Sequence, residues 1–478
     1  AATLAAEAPK KSFWSSYSRQ IGAVAGLLVA VVIWILPLEG LSPEGKKGLA
    51  ISLCTVIWWA TKVMHPGYTS LAMLLAYVIF GVATPTDTFA MFTNPLIYLV
   101  IGGYLIAAAV TISGLGRRIA FAFVLRFVST YASVIISAFV LTFVLSFLIP
   151  HPWPRAFLIM GVMAVIAKAA NMPDKDAAAI GLAVFAGSAP VSMILLTGDS
   201  AINVLAVSFS GQEVSWLQWL LYMGLPAAVA SVLCALICLR LFKPSVPFKL
   251  DKEAIAKQLS ELGKLSKVEK RVIFWVGLAI VLWMTDSVHG IALGWVTAAI
   301  AVAMAMPSIG DVLKPAQWKQ VPIETLLFLT AAIAIGKVGA ITGMNAWLAS
   351  VLLPDSVPAN PFLMAGLITL VAVVVHMILG SVIAVMGIVT PALVGFATAA
   401  GINPIVPALM VYTAIASHWI LPFHHMNVLV GLGQEAGGYT DREVMKLGIP
   451  MTVVVFIVTM LVAVSYTHLR AHETDSYL

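Results

Sequence analysis

Two stretches of this chain repeat one another at a constant spacing. Asn203-Val204-Leu205 recurs as Asn427-Val428-Leu429, 224 residues further on. A Gly-Gln-Glu follows each copy, at Gly211 to Glu213 and at Gly433 to Glu435. Met223-Gly224-Leu225-Pro226 is answered by Leu447-Gly448-Ile449-Pro450, again 224 apart, and a long apolar run follows both. In an apolar chain this spacing means a duplicated unit. Duplicated units in membranes build a site at their interface, from helices broken at corresponding places, and this is the architecture of secondary transporters.

The composition fixes the solvent. The chain is 61% hydrophobic and 10% charged, against about 25% charged for soluble domains, with mean hydropathy +1.01 over 478 residues. Apolar runs long enough to cross about 30 Å of hydrocarbon recur along it. A soluble fold could not keep so much apolar surface from water. The expected class is an all-α polytopic membrane protein. The net charge of +6 reads as loop lysines facing anionic lipid and not as nucleic-acid binding. Cys54, Cys234 and Cys238 all lie in apolar runs, which argues against a disulfide scaffold. Residues 1–16 are polar and carry Lys10 and Lys11, so no cleavable signal peptide is expected before the first span. After Val464 the apolar run stops. Residues 465–478 resemble translated sequencing-adapter read-through and are set aside with His468 and His472.

Charge orders the spans. The segment 243–271 carries Lys243, Lys249, Lys252, Lys257, Lys264, Lys267, Lys270 and Arg271, the strongest cytoplasmic marker in the chain. Counting outward from it puts the amino terminus on the cytoplasmic side. Lys46 and Lys47 violate this arrangement. For the count to work, 132–170 and 361–400 must each enter and leave on one side, as re-entrant hairpins. The resulting division is a cytoplasmic amino terminus at 1–17, scaffold helices at 18–90 and a first repeat at 91–242. A basic linker at 243–269, scaffold helices at 270–320 and a second repeat at 321–464 follow. Each hairpin precedes a broken helix, 177–209 and 404–432, interrupted at Leu196 to Asn203 and at Ile420 to Asn427. Unwound backbone in a membrane is tolerated only where it lines a cavity or packs on protein, so two tips and two breaks should converge on one polar cavity.

Several short elements in order resemble the divalent-anion:sodium symporter family of the ion-transporter superfamily, over roughly residues 20–464. They are Asn94-Pro95, Gly102-Gly103, Gly114-Leu115 with Arg117-Arg118-Ile119-Ala120, Leu282-Trp283-Met284-Thr285 with His289-Gly290, and Ile341-Thr342-Gly343. Asn203 and Asn427 stand where the family has the final Asn of its Thr-Pro-Pro-Asn loops. The resemblance implies about eleven spans plus two re-entrant hairpins arranged as inverted repeats. It further implies an elevator-type transport domain, a homodimer held by the scaffold, and di- or tricarboxylate or sulfate substrates driven by sodium. It also implies a multi-pass protein of the prokaryotic inner membrane. The chain departs from the family at the hairpin tips. Of the Ser-Asn-Thr signature that meets sodium and substrate, the second tip keeps only Ser381, followed by Val382-Ile383. Aligning Met160-Gly161 with Met386-Gly387 puts Arg155 at the first tip. In the second loop His424-His425 replaces Thr-Pro.

These side chains are the candidates for function. A guanidinium at a tip suits a carboxylate or oxyanion, so Arg155 either anchors substrate or snorkels to phosphates. His424 and His425 can donate to an oxyanion, couple a proton, or cap the break. His151 flanks the first tip as a further coupling candidate, while His376 and His418 read as core histidines. Asp199 can hold a cation, pair with Arg155, or cap the following helix. Thr197, Ser200, Ser381, Asn203 and Asn427 either orient an anion or are structural. Lys337 counters substrate charge or pairs within the scaffold. No His-Glu-x-x-His, Gly-x-Ser-x-Gly or phosphate loop is present, so an enzyme is not expected and no cofactor is called for beyond sodium or a proton. A channel is the alternative to a carrier. Loss of both sodium-type tips predicts weak dependence on sodium, with exchange or proton coupling through His424 or His425 instead.

Overall fold

The computed structural model describes residues 13–352, 360–399, 401–421, 424–432 and 437–475. The expectations for residues 1–12, for Pro422 and Phe423, for Gly433 to Glu435 and for residues 476–478 fall outside the described residues. Seven helices among them are long and apolar enough to cross a bilayer, and six apolar helices of 10–17 residues accompany them. The only β pairing among the described residues is an isolated bridge from Leu432 to Tyr439.

Both repeats use the same elements in the same order. The first runs Pro95–Ser113, Leu115–Phe127, the hairpin arms Tyr131–Ser146 and Pro152–Ala169, Asp174–Ser188, Ile202–Ser210 and Trp216–Leu241. The second runs Ile323–Ile341, Met344–Leu352, the arms Pro361–Leu379 and Val382–Ala399, Ile405–Ala416, a 3-10 turn Met426–Val430 and Asp441–Asp475. The long closing helices carry Pro226 and Pro450, 224 residues apart, and pack on one another. The helices ahead of the repeats exchange partners. Pro66–Ile79, before the first repeat, packs on Ile323–Ile341, which opens the second; Leu293–Ala305, before the second, packs on Pro95–Ser113, which opens the first. Only glycine allows the latter approach: a Cβ on Gly294 would lie 1.7 Å from the Pro95 carbonyl oxygen.

Local sequence explains the tips and breaks. Pro150 and Pro152 flank His151 at the first tip, and Pro152 opens the second arm where no amide donor is needed. At the second tip Gly380, at φ +66°, ends the first arm in the left-handed conformation that glycine adopts freely. The first break begins earlier than the sequence suggests. The helix ends at Ser188, because Pro190 has no amide hydrogen for the Ala186 carbonyl and its ring crowds that group. Two 3-10 turns, Pro190–Met193 and Leu196–Asp199, fill the gap before Ile202–Ser210. The second break likewise starts early, after Ala416. The closing helix does not stop at Val464; its backbone continues to Asp475.

Polar contacts fasten the periphery. In the linker Lys252–Glu261 forms a helix capped by Asp251. Arg118 reaches across to Glu269 at 2.6 Å and to the carbonyls of Gly263 and Leu262 at 2.9 and 3.0 Å. Lys337 pairs with Asp87 at 3.2 Å, which is the scaffold pairing and not a substrate contact. Lys47 donates to the Phe80 carbonyl.

Candidate functional site

A broken helix leaves donors and acceptors that lipid cannot satisfy. In the first break, side chains take them up. Asn203 Nδ2 donates to the carbonyls of Ser192, Leu195 and Leu196 at 3.0, 2.9 and 3.2 Å. Trp219 Nε1 donates to the Met193 carbonyl, and Trp216 Nε1 to Thr197 Oγ1 at 3.1 Å. Asp199 Oδ1 accepts the amides of Ala201 and Ile202 at 3.0 and 3.1 Å, and so caps the helix that follows.

The two breaks are also bonded to each other. Asn203 Oδ1 accepts from the Tyr412 hydroxyl, and Asn427 Nδ2 donates to Ser188 Oγ at 3.0 Å. Tyr412 lies 224 residues after Ser188, as Asn427 does after Asn203. Exchanging the repeats therefore turns one bond into the other. Ser417 donates to the sulfur of Met193 at 3.0 Å, and these two residues are themselves 224 apart. Counterparts in contact mark a pseudo-two-fold axis, the signature of an isologous interface.

A cavity of about 2450 Å³ opens beside this junction. Enclosing pockets for small ligands run to about 300–1,000 Å³, so this is a vestibule with a binding end. Its inner wall includes Tyr104, His151, Asp199, Ser381, His425 and Asn427. Lys62, Arg117 and Leu262 line it on the face where the basic linker docks. His424 also lines it. His151 Nδ1 caps the second hairpin arm by accepting the Trp153 amide, and its Nε2 lies 2.8 Å from the Tyr104 hydroxyl.

Arg155, Thr197, Ser200 and Asn203 stand behind the cavity wall and not on it. The guanidinium expected to meet substrate is fully buried and turned into the first break. Its Nη1 donates to the Ile149 carbonyl at 2.8 Å; its Nη2 donates to the Gly198 carbonyl at 3.1 Å and to Ser192 Oγ. No carboxylate among the described residues lies within 4.0 Å of it, so the Asp199 pairing does not form. Arg155 clips the first tip to the first break through neutral acceptors, and its charge stays uncompensated. The Ser200 amide reinforces the clip by donating to the Pro150 carbonyl. Ser200 Oγ has no partner among the described residues.

The second tip meets the second break through histidines. His376 ends the first hairpin arm one turn before Gly380, and His418 and His424 come from the break. His376 Nδ1 lies 2.9 Å from His418 Nδ1, and His376 Nε2 lies 3.1 Å from the His424 carbonyl. The ring centroids are 5.0 to 5.7 Å apart. His424 Nδ1 accepts the amides of Ile420 and Leu421, and His425 Nδ1 accepts the amide of Asn427. These rings face one another and the backbone; no group of three or more such ligands among the described residues is arranged to hold a metal ion. Sequence reasoning left His376 and His418 in the core and did not name Ser188, Ser192, Tyr104 or Tyr412. The 224-residue offset, applied outward from Asn203, was a signal for Ser188 and Tyr412.

The sodium:sulfate symporter transmembrane region, as a family, matches residues 18–470. The chain belongs to the sodium:sulfate symporter family. This family member is therefore an integral, multi-pass membrane transporter of small anions, as the resemblance of its motifs implied. It is 26% identical to a membrane protein of Cupriavidus necator, over 93% of this chain and 91% of that one. It is 25% identical to the putative malate transporter YflS of Bacillus subtilis, over 67% and 69% respectively. Its fold is similar to the crystal structure of the Alcanivorax borkumensis YdaH transporter, at TM-score 0.54 and 16% identity, covering 87% of this chain and 98% of that one.

Proposed function

We propose that this symporter-family member is a secondary active carrier of small di- or tri-anions, dicarboxylates first and citrate-like anions or sulfate next. One observation carries the reading. The cavity at the junction of both repeats is walled by Ser381 and Asn427, opens onto the amino-terminal end of Val382–Ala399, and is backed by the uncompensated guanidinium of Arg155. Hydroxyl, amide and helix-end amides orient an oxyanion. A fixed charge behind the wall favours the anion without being consumed by it. The malate-transporter name of the Bacillus relative points the same way. Counterflow in proteoliposomes tests this: labelled succinate or malate should accumulate against its unlabelled counterpart, with citrate and sulfate as competitors. No counterflow with any of the four anions overturns it.

In this reading the hairpins and breaks travel as one elevator-like unit against the scaffold helices of a homodimer, with Leu282 to Gly290 at or near the interface. The exposed apolar side chains of Val288 and Ile291 support that placement. A monomer mass in nanodiscs contradicts it. The amino terminus and basic linker face the cytoplasm of a prokaryotic inner membrane, so the cavity is inward-open. Coupling to sodium is weak. The first tip offers Arg155 where a hard cation needs oxygen ligands, and the second offers Ser381 with backbone carbonyls. The anion moves by exchange or with a proton.

A further inference from the structure

We infer that the histidine cluster at the second junction is a proton-binding site, and that His418 Nε2 is the atom that takes the proton. This deepens the carrier reading above and rests on it. The bonding pattern fixes the tautomers. A carbonyl oxygen only accepts, so His376 presents Nε2–H to the His424 carbonyl. In a neutral ring its Nδ1 is then an acceptor. The hydrogen shared across the 2.9 Å gap therefore belongs to His418 Nδ1. That leaves His418 Nε2 with a bare lone pair, buried and without a partner among the described residues. His424 and His425 cannot take this role, since backbone amides occupy their Nδ1 atoms.

Buried polar atoms are nearly always bonded, so a cluster serving only to hold the fold has no reason to leave this nitrogen open. A proton added there breaks no existing hydrogen bond. It arrives as hydronium through the cavity that His424 lines, and water leaves. The other titratable groups facing the cluster are few. They are His425 on the same break, Asp199 across the junction, and Arg155 on the arm Pro152–Ala169 packed against the break. Val382–Ala399 and Ile202–Ser210 contribute none, and Tyr412 on Ile405–Ala416 is committed to Asn203. The closing helix bears Asp441, Arg442, Glu443 and Lys446 in its first two turns, and Pro43–Ala60 bears Glu44, Lys46 and Lys47 in its first turns and Cys54 beyond them.

An isolated imidazolium inside a membrane is costly and needs a partner. A di-anion in the adjoining cavity supplies one. Proton and anion then bind together, and each raises the affinity for the other by the same factor. The experiment titrates the purified, weakly buffered protein with succinate, malate and sulfate near neutral pH, following binding by calorimetry and proton uptake with a pH dye. Wild type should take up about one proton per anion bound. His418→Gln, which keeps a donor for His376 but cannot titrate, should bind the anion with no proton uptake. Anion binding without proton uptake in wild type overturns the proposal, and decides it even where the variant fails to fold. Unchanged uptake in a folded His418→Gln overturns it too, while leaving the carrier reading intact. Failure of all three anions to bind refutes the carrier reading, and this proposal with it.

Discussion

At the first junction a hairpin tip is fastened to a helix break by Arg155; at the second, the equivalent tip and break meet through His376, His418 and His424. The backbone is duplicated, and so are the cross-bonds from Asn203 to Tyr412 and from Asn427 to Ser188. The fasteners are not. A guanidinium keeps its charge at every accessible pH, so the first junction has one electrostatic state. An imidazole cluster can gain a proton, so the second has two. Duplication supplies the cavity, and divergence at the fasteners supplies an asymmetry that transport can use.

The largest test of this contrast is Arg155→Ala. It strips donors from the Ile149 and Gly198 carbonyls and from Ser192 in a buried place. Charge-assisted bonds are each worth about 1.5–3 kcal/mol, so the loss should exceed about 3 kcal/mol and appear as a clear fall in the unfolding midpoint in detergent. An unchanged midpoint, with only anion affinity lost, would return Arg155 to the substrate. The paired asparagines come next. Asn203 is wholly buried and holds three carbonyls and the Tyr412 hydroxyl, while Asn427 lines the cavity. Asn203→Ala should cost about 2–4 kcal/mol in a denaturant titration and Asn427→Ala about 1 kcal/mol, the latter weakening anion binding more. The opposite order would mean that the break is held elsewhere.

The duplication was legible because identical residues recur at a fixed offset, and that offset located both breaks and the asparagines that bind them. The facing of Arg155 was not legible. It lies on the first turn of an arm with a polar break on one side and a cavity on the other, and the spacing of residues along the arm does not choose between them. His376 and His418 were also out of reach, because 42 residues and a hairpin turn separate them and only the register of that turn sets their rings together. The first break was placed late because the Gly198 and Asp199 loop drew attention from Pro190, which ends the helix.

The smallest effect separates the junction from the linker. The Arg118 guanidinium, helped by Ser266, holds the Glu269 carboxyl below its ordinary value of 4.5 against the opposing effect of burial. A lowered carboxyl stabilises the fold above its unfolded value, and that contribution is lost as pH falls through the folded one. Linker docking should thus be constant from neutral pH down to about 5 and weaken only below about 4.5, by under about 1 kcal/mol after solvent screening. Limited proteolysis of 243–266 across that range checks it. Linker release near pH 6 would confuse any pH response of transport with undocking.

The most direct measurement is succinate or malate uptake into proteoliposomes under opposing sodium and pH gradients. The account predicts uptake that rises as external pH falls through about 6–7 and changes little with sodium, with His418→Gln flat across the pH range. A steep dependence on two or more sodium ions with no response to pH would contradict it, and would show that Ser381 and the backbone carbonyls of the second tip suffice to hold the cation.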